Sequence, residues 1–288
     1  MHQGSLRAPA AVAAEVATTG GGSSCRQSTV TIHLAAEMAH PKSGFYEKDD
    51  HEYVSVSSVL GRTAELFNPN KLKGLDIWRQ MEPNWQEIME RAQRRGTIIH
   101  SETELSFFGD AVNHKMDHAT MDEMITYNIP EYMTYLSPVL DIIKENNFKH
   151  GVSNPSFLIE ESLHCHLGYA GTADARLFWE GEYSIWDWKT VRSYKEEGVK
   201  KKPKSISHYK EAEIQIGAYA LAHNLAVKRG ELDTEITQGV ICICYDWREP
   251  HIHVLNKQEL KAAAQGFIER FQAYCSLENT TFPRLIES

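Results

Sequence analysis

The sequence predicts an α/β domain with a mixed β-sheet. Segments of helical periodicity and segments rich in β-branched and aromatic residues follow in the order helix, three strands, helix, strand. Apolar residues make up 42% of the 288 positions and charged residues 24%, so the chain can bury a sizeable core and is not disordered throughout. No run of about 18 consecutive apolar residues occurs, so we expect no membrane-spanning helix.

The first 36 residues differ in composition from the rest of the chain. They are rich in Ala, Gly, Ser and Thr and contain a single acidic side chain, Glu15. Such a segment buries little apolar surface, and we expect residues 1–36 to be a disordered tail or a leader segment. Residues 37–288 are expected to form one domain, with a helical part over 60–150 and a sheet core over 84–108 and 156–275.

Helical periodicity dominates the region before the sheet. Apolar residues at i, i+3, i+4 and i+7, beginning at Trp85, predict an amphipathic helix from Asn84 onward. A second helical region covers about 117–147, and Pro130 and Pro138 are expected to limit its continuity. Upstream, residues 53–60 mix β-branched and polar types, and Gly61 is expected to end that stretch.

Three consecutive strands are predicted over residues 156–166, 170–179 and 183–190. Their short connections imply antiparallel neighbours in one sheet. The polar, lysine-rich segment 191–206 is long enough for a functional or mobile loop. The remaining elements are a helix over 207–229, strands over 239–246 and 251–255, and a closing helix over 257–275.

Two acidic residues and a lysine on neighbouring strands form the candidate reactive centre. Asp187 and Lys189 share one strand face, whereas Trp186 and Trp188 project to the other face and can pack into the core. Asp174 lies among small residues on the preceding strand, and the hairpin brings it near Asp187. Two neighbouring carboxylates repel each other unless a cation lies between them, and oxygen ligands favour Mg²⁺ or Mn²⁺. A surface salt bridge between Asp187 and Lys189 is the alternative explanation.

The lysine indicates what such a centre could do. An ammonium group beside a cation site can orient or help to deprotonate an attacking water and can stabilise charge on a phosphate. The pattern therefore indicates hydrolysis of a phosphodiester bond.

Four motifs follow one another in a characteristic order. They are Gly96-Thr97-Ile98-Ile99-His100, Gly171-Thr172-Ala173-Asp174, Asp187-Trp188-Lys189-Thr190 and Gln215-Ile216-Gly217-Ala218-Tyr219. On these motifs the sequence resembles the RecB-like exonuclease branch of the PD-(D/E)XK nucleases, over roughly residues 53–275. The upstream Ser55–Leu60 and Ile77-Trp78 look similar to the lead-in of phage exonucleases and of the mitochondrial genome maintenance exonuclease.

The resemblance implies a fold and a function. The fold would be a restriction-endonuclease-like core of order αβββαβ, with a central mixed sheet flanked by helices and with helical additions at the N-terminal side. The function would be that of a Mg²⁺- or Mn²⁺-dependent DNA exonuclease acting on single strands or free ends. Its setting would be phage or organelle DNA processing, recombination, repair or degradation.

The resemblance also implies roles for individual residues. His100, Asp174, Asp187 and the backbone carbonyl of Trp188 would bind the metal, and Lys189 would activate water or contact the phosphate. Gln215 and Tyr219 lie four apart on one helix face and would support the site or contact the substrate. Either Glu160 or Glu161 would add a further carboxylate, and the sequence does not distinguish between them.

The charge distribution bears on the substrate. A formal charge of −9 from 30 basic and 39 acidic residues looks unfavourable for binding nucleic acid. However, two short basic clusters lie near the predicted centre in sequence, and local charge matters more to a phosphate than distant charge because salt screens the latter. The clusters are Arg91, Arg94 and Arg95 before His100, and Lys200, Lys201 and Lys202 after Lys189.

Other readings stay open. A structure-specific or restriction-like endonuclease would use the same centre, and a non-catalytic nucleic-acid-binding module would need only the surface. Five scattered cysteines fit a reducing, intracellular compartment such as the cytoplasm (of a host cell for a viral protein), although a segment poor in acids that carries Arg7 and Arg26 also fits a mitochondrial presequence. We expect Cys242 and Cys244 to be small buried apolar residues and expect no iron–sulfur cluster.

Overall fold

A computed structural model describes residues 44–108, 119–149, 158–191, 195–196, 199–200 and 209–285, so the predicted segment 1–36 lies outside the described residues. This part of the chain has an α/β fold with a mixed sheet flanked by helices. Its strands are β1 (Phe45–Lys48), β2 (His51–Ser55), β3 (Leu158–Cys165), β4 (Tyr169–Trp179), β5 (Glu182–Val191), β6 (Lys195–Glu196), β7 (Val199–Lys200), β8 (Gln238–Tyr245), β9 (His251–Leu255) and β10 (Arg284–Leu285).

The helices group before and after the central strands. Their bounds are α1 (Val56–Arg62), α2 (Ala64–Phe67), α3 (Pro69–Met81), α4 (Trp85–Phe108), α5 (Met121–Thr126), α6 (Ile129–Lys149), α7 (Lys210–Lys228) and α8 (Lys257–Leu277). Among these helices none is long and apolar enough to cross a membrane.

The main sheet has the order β1-β2-β4-β5-β8-β9, with β3 on the other edge of β4 and β10 beside β2. Strands β3, β4 and β5 are antiparallel neighbours, as their short connections predict. Strand β8 is parallel to β5, with α7 in the connection between them, and β9 closes the sheet in antiparallel orientation. Strands β6 and β7, which fall in the predicted loop 191–206, form a separate short ladder.

Two apolar cores lie on the two faces of this sheet. The first core packs α1, α7 and α8 against the sheet and contains Tyr169, Ile216 and Phe267. The second packs α4 and α6 against the opposite face and contains Trp186 and Trp188, which the alternation along β5 predicts. Burial on both faces is what fixes the register of the central strands, because a slip by one residue would exchange the faces of every side chain.

Two predicted boundaries are wrong. Gly61 does not end its stretch: β2 ends at Ser55, whose side chain caps α1, and Gly61 lies inside that helix. Pro138 does not interrupt the second helical region, since it lies within α6, whereas the break falls at Asn128, which has a φ of 61°. Pro130 occupies the first turn of α6, where a missing backbone N–H costs nothing.

Candidate active site

The candidate site lies where β4 and β5 separate. Their ladder runs from Trp179 paired with Glu182 to Ala175 paired with Trp186. Beyond that pair β5 continues beside β8 as far as Val191, while the other end of β4 pairs with β2 at Tyr169 and Ala170. Asp174 is the neighbour of Ala175 on β4 and Asp187 is the neighbour of Trp186 on β5, each just beyond the last pair. Both aspartates therefore lie at the fork.

Asp174 takes over where the backbone ladder stops. Its Oδ2 accepts a hydrogen bond from the backbone N–H of Trp188 at 2.6 Å. The residue is 8% exposed, and this burial raises the pKa of its carboxyl, with the nearby His100 imidazole acting in the opposite direction. A carboxylate that replaces a ladder carbonyl is held in one orientation, because a buried backbone N–H needs an acceptor.

His100 reaches the fork from α4. Its Nε2 donates to the backbone carbonyl of Trp188 at 3.2 Å and lies 3.8 Å from Oδ2 of Asp174, while its Nδ1 lies 3.2 Å from Oε1 of Glu160. Burial of the imidazole lowers its pKa, but the Asp174 and Glu160 carboxylates outweigh this and raise it to about 10. The imidazole therefore holds a second proton in this arrangement, and it must lose one to bind a metal.

The structure distinguishes the two adjacent glutamates. Glu160 faces His100 on one side of β3, whereas Glu161 forms an ion pair with the buried Arg176. Carboxylate or imidazole atoms of His100, Glu160 and Asp174 lie within 4.8 Å of one another, a spacing at which they could hold a metal ion. Glu160 rather than Glu161 is therefore the carboxylate that joins the site.

Asp187 and Lys189 form a buried rather than a surface pair. Nζ of Lys189 lies 2.6 Å from Oδ1 of Asp187, which is 2% exposed. Burial raises the pKa of Asp187 to about 6, although Lys189 opposes this rise. Burial lowers the pKa of Lys189, but the Asp187 and Asp174 carboxylates reverse this and leave the pKa above its ordinary value.

One carboxylate oxygen of Asp187 can still accept a hydrogen bond or bind a cation. Its Oδ2 is buried and has no hydrogen-bond partner among the described residues. A buried carboxylate oxygen without a donor is costly in water-free surroundings. A divalent cation would supply what this oxygen lacks, so the donor set fits a hard metal ion with oxygen and imidazole ligands.

Gln215 and Tyr219 of α7 lie over the strand that carries Asp174. Nε2 of Gln215 donates to the hydroxyl of Tyr219 at 3.1 Å, and burial raises the pKa of this hydroxyl far above its ordinary value. A Cβ at Gly171 would lie 2.4 Å from Cε1 of Tyr219, so this close approach requires glycine. At Gly96, by contrast, a Cβ would meet Oγ1 of Thr190 only at 3.9 Å, so no close approach among the described residues requires glycine there.

The structure gives all three predicted arginines partners within the protein. Arg94 binds the carboxylate of Glu123 through two contacts of 2.7 and 2.9 Å, and Arg95 is 7% exposed, with its guanidinium over the ring of Tyr132. Arg91 lies 3.5 Å from Glu87 on the same helix. Lys200 lies in β7, and Lys201 and Lys202 lie outside the described residues.

Tyr46 and Ser162 lie near the site but belong to none of the four motifs. The hydroxyl of Tyr46 lies 3.2 Å from Oγ1 of Thr172, two positions before Asp174 on β4, and Thr172 in turn lies 3.2 Å from the hydroxyl of Ser162. Tyr46 belongs to β1, far away in sequence, so only tertiary structure brings it here.

Cys242 and Cys244 lie in the second core with sulfur atoms 4.0 Å apart and are fully buried.

Comparisons with known proteins assign no family to this chain. No protein-family model matches it, and no curated protein sequence matches it. Among solved structures, this chain is similar to the crystal structure of SSO0001. The match covers 61% of this chain and 92% of that chain, with 15% sequence identity and a TM-score of 0.23.

Proposed function

We propose that this protein is a metal-dependent nuclease that hydrolyses phosphodiester bonds in DNA, built on a restriction-endonuclease-like core. The observation that carries the proposal is the convergence of Asp174, Asp187 and Lys189 at the fork between β4 and β5. Each of these residues occupies its position in the motifs that resemble the RecB-like branch. His100, from the first motif, reaches the same fork from a separate helix.

The proposed cation is Mg²⁺ or Mn²⁺. The cluster of Asp174, Glu160 and, after losing a proton, His100 would hold it, with Asp187, which lies outside this cluster, as a further ligand. The carbonyl of Trp188 lies beside His100. When bound, the cation would lower the pKa of water and neutralise charge on the phosphate.

Lys189 has two conceivable roles, water activation and phosphate contact. Its raised pKa keeps the ammonium protonated near neutral pH, which favours stabilising negative charge on the phosphate and orienting the water over removing a proton from it. The side chain is 33% exposed, so its outer end can meet a substrate while Asp187 fixes its position. Tyr219, whose hydroxyl stays protonated, can donate a hydrogen bond to the same substrate.

The proposed substrate is single-stranded DNA or DNA with free ends. Support for it comes from the resemblance and from the lysine and tyrosine donors at the fork. Arg94 and Arg95 contribute less than their sequence position suggests, because a carboxylate and an aromatic ring already engage them.

The test is a cleavage assay with purified protein and Mg²⁺. Substrates labelled at the 5′ or 3′ end would include single strands, duplexes and covalently closed circles. We expect cleavage of linear substrates that depends on Mg²⁺ and is lost in Lys189→Ala and Asp187→Asn. Cleavage of closed circles would instead establish an endonuclease with the same centre, and full activity of either variant would refute the proposed mechanism.

A further inference from the structure

Strand β3 exchanges its two faces at Glu160. Between Glu160 and Cys165, Leu163 and Cys165 face the first core, yet Ile159, on the other side of Glu160, packs against the second. Glu160 has a φ of 50°, in the left-handed region that a residue with a side chain enters only at a cost. Pairing with β4 stays in register on both sides, so no extra residue has been inserted.

Strand β4 makes the same exchange directly opposite. Ala173 belongs to the first core and Ala175 to the second, with Asp174 between them. Glu160 and Asp174 lie between the same two pairs of the register, Ile159 with Ala175 and Glu161 with Ala173, so the two strands reverse together at the candidate metal site. A strained conformation persists only where its surroundings enforce it, and it therefore requires a cause.

A buried arginine supplies that cause. Arg176, two residues after Asp174, is 1% exposed and forms an ion pair with Glu161, the neighbour of Glu160. Its Nη1 donates to Nδ1 of His223 at 2.7 Å, and Nε2 of His223 donates to the carbonyl of Thr234 at 2.8 Å. Since an arginine only donates and a carbonyl only accepts, His223 is the neutral tautomer with its proton on Nε2.

The arginine cannot easily leave this position. Removing a guanidinium from water is costly unless acceptors replace the water, and here the Glu161 carboxylate pairs with Nη2 and His223 accepts from Nη1, while Nε has no hydrogen-bond partner among the described residues. The contact between Arg176 and Glu161 fixes Glu161 on the α7 face of β3. Ile159, two residues earlier in the strand, lies on the opposite face. The only residue left to absorb the change is Glu160.

We propose that Arg176, held by His223, is a positioning residue for the metal site. By clamping Glu161 to the α7 face it keeps Glu160 in the left-handed conformation that turns its carboxylate to His100 and beside Asp174. This inference rests on the proposed function, because it assumes that the cluster of His100, Glu160 and Asp174 binds the catalytic cation. Partners that orient metal ligands from outside typically change metal affinity by about 10- to 100-fold when removed.

The test compares two substitutions of His223. In His223→Gln the amide can accept from Arg176 and donate to Thr234, whereas His223→Leu can do neither. Mn²⁺ affinity would be measured by calorimetry on protein whose folding circular dichroism has verified, together with the ¹⁵N chemical shift of His100 Nδ1 in metal-free protein. We expect His223→Leu to bind Mn²⁺ about 10-fold more weakly and to shift the His100 resonance, and His223→Gln to change neither.

Two further variants cover the other outcomes. Glu160→Ala removes the carboxylate itself and defines the largest loss that positioning could cause. Arg176→Lys keeps the buried charge but loses the planar fork, so it replaces His223→Leu if that variant does not fold, with the same expected weakening. If the folded variants keep both the wild-type affinity and the wild-type His100 resonance, the positioning role is wrong while the metal site stands. If wild-type protein binds no Mn²⁺, the proposed function fails, and the metal-free His100 resonance alone decides whether the clamp positions Glu160.

Discussion

The carboxylate of Asp174 accepts the backbone N–H of Trp188 at 2.6 Å, although Asp174 lies one residue and Trp188 two residues beyond the last pair of their strands, Ala175 with Trp186. A side chain here does what a ladder carbonyl does elsewhere in the sheet. The same oxygen, Oδ2, lies 3.8 Å from Nε2 of His100. Asp174 therefore has a structural role and a proposed metal-binding role, and substitutions can separate the two.

Asp174→Asn and Asp174→Ala are expected to differ in stability but not in activity. The amide oxygen of Asn can still accept from Trp188, whereas Ala leaves a buried N–H without an acceptor, at a cost of about 1–3 kcal/mol. Both variants remove the charge that would attract the cation, so both should lose Mg²⁺-dependent cleavage. Urea unfolding and the cleavage assay measure the two effects, and equal stability of the two variants would contradict the structural role.

Lys189→Met is expected to separate catalysis from metal binding. The ammonium is not itself a proposed metal ligand, and removing it frees Oδ1 of the proposed ligand Asp187, so Mn²⁺ binding should be retained. Loss of a group that assists proton transfer or stabilises charge should reduce the cleavage rate by about 10²- to 10⁴-fold. Lys228→Met in the last turn of α7 is the matched control and should cleave like wild type. Lost Mn²⁺ binding in Lys189→Met would mean that the lysine organises the site instead.

Stability without metal should fall as pH rises. The pKa of Asp187 is about 6 in the folded protein against an ordinary 3.8, so the folded state binds more protons than the unfolded state between these values and loses stability as pH rises through them. The pKa of His100, about 10 against 6.5, has the same sign at higher pH. Mg²⁺ requires both groups to lose protons, so the thermal shift that it causes should grow from pH 5.5 to pH 8.

Asp187→Asn provides the comparison for this pH dependence. It cannot titrate, so the difference in free energy of unfolding between wild type and variant should decrease as pH rises from about 4 to above 6. A thermal shift by Mg²⁺ that does not depend on pH in the wild type would argue against protonated ligands in the metal-free site.

The shared face of Asp187 and Lys189 follows from strand alternation, since side chains two apart on a strand point the same way. The burial of Trp186 and Trp188 follows from the same rule. In contrast, no sequence rule identifies Glu160 over Glu161, because the choice depends on a positive φ that a buried arginine on the neighbouring strand enforces. Motif spacing identifies candidate residues, but tertiary packing decides which way their side chains turn.

The partners of Arg94 and Arg95 also could not be predicted from the sequence. A sequence shows that Arg94 and Arg95 are positive, and it does not show that Glu123 and Tyr132 come from later helices to engage them. Partners so far apart in the chain depend on how α4 packs against α5 and α6. Predicted charge clusters therefore overstate the free positive surface whenever long-range ion pairs form.

The contact between Gly171 and Tyr219 yields a prediction about packing beneath the site. Because a Cβ at Gly171 would lie 2.4 Å from the tyrosine ring, Gly171→Ala must displace Tyr219 and should lower the free energy of unfolding by about 1–3 kcal/mol. Tyr219→Leu alone should also destabilise the protein. In the double variant the added methyl group has more room, so the loss of stability should be smaller than the sum of the losses in the two single variants. Gly61→Ala, where a Cβ would meet no atom of the described residues within 4 Å, is the control and should not destabilise its helix. Strict additivity in urea unfolding would show that Gly171 does not depend on Tyr219, and the glycine of this motif would then need another explanation.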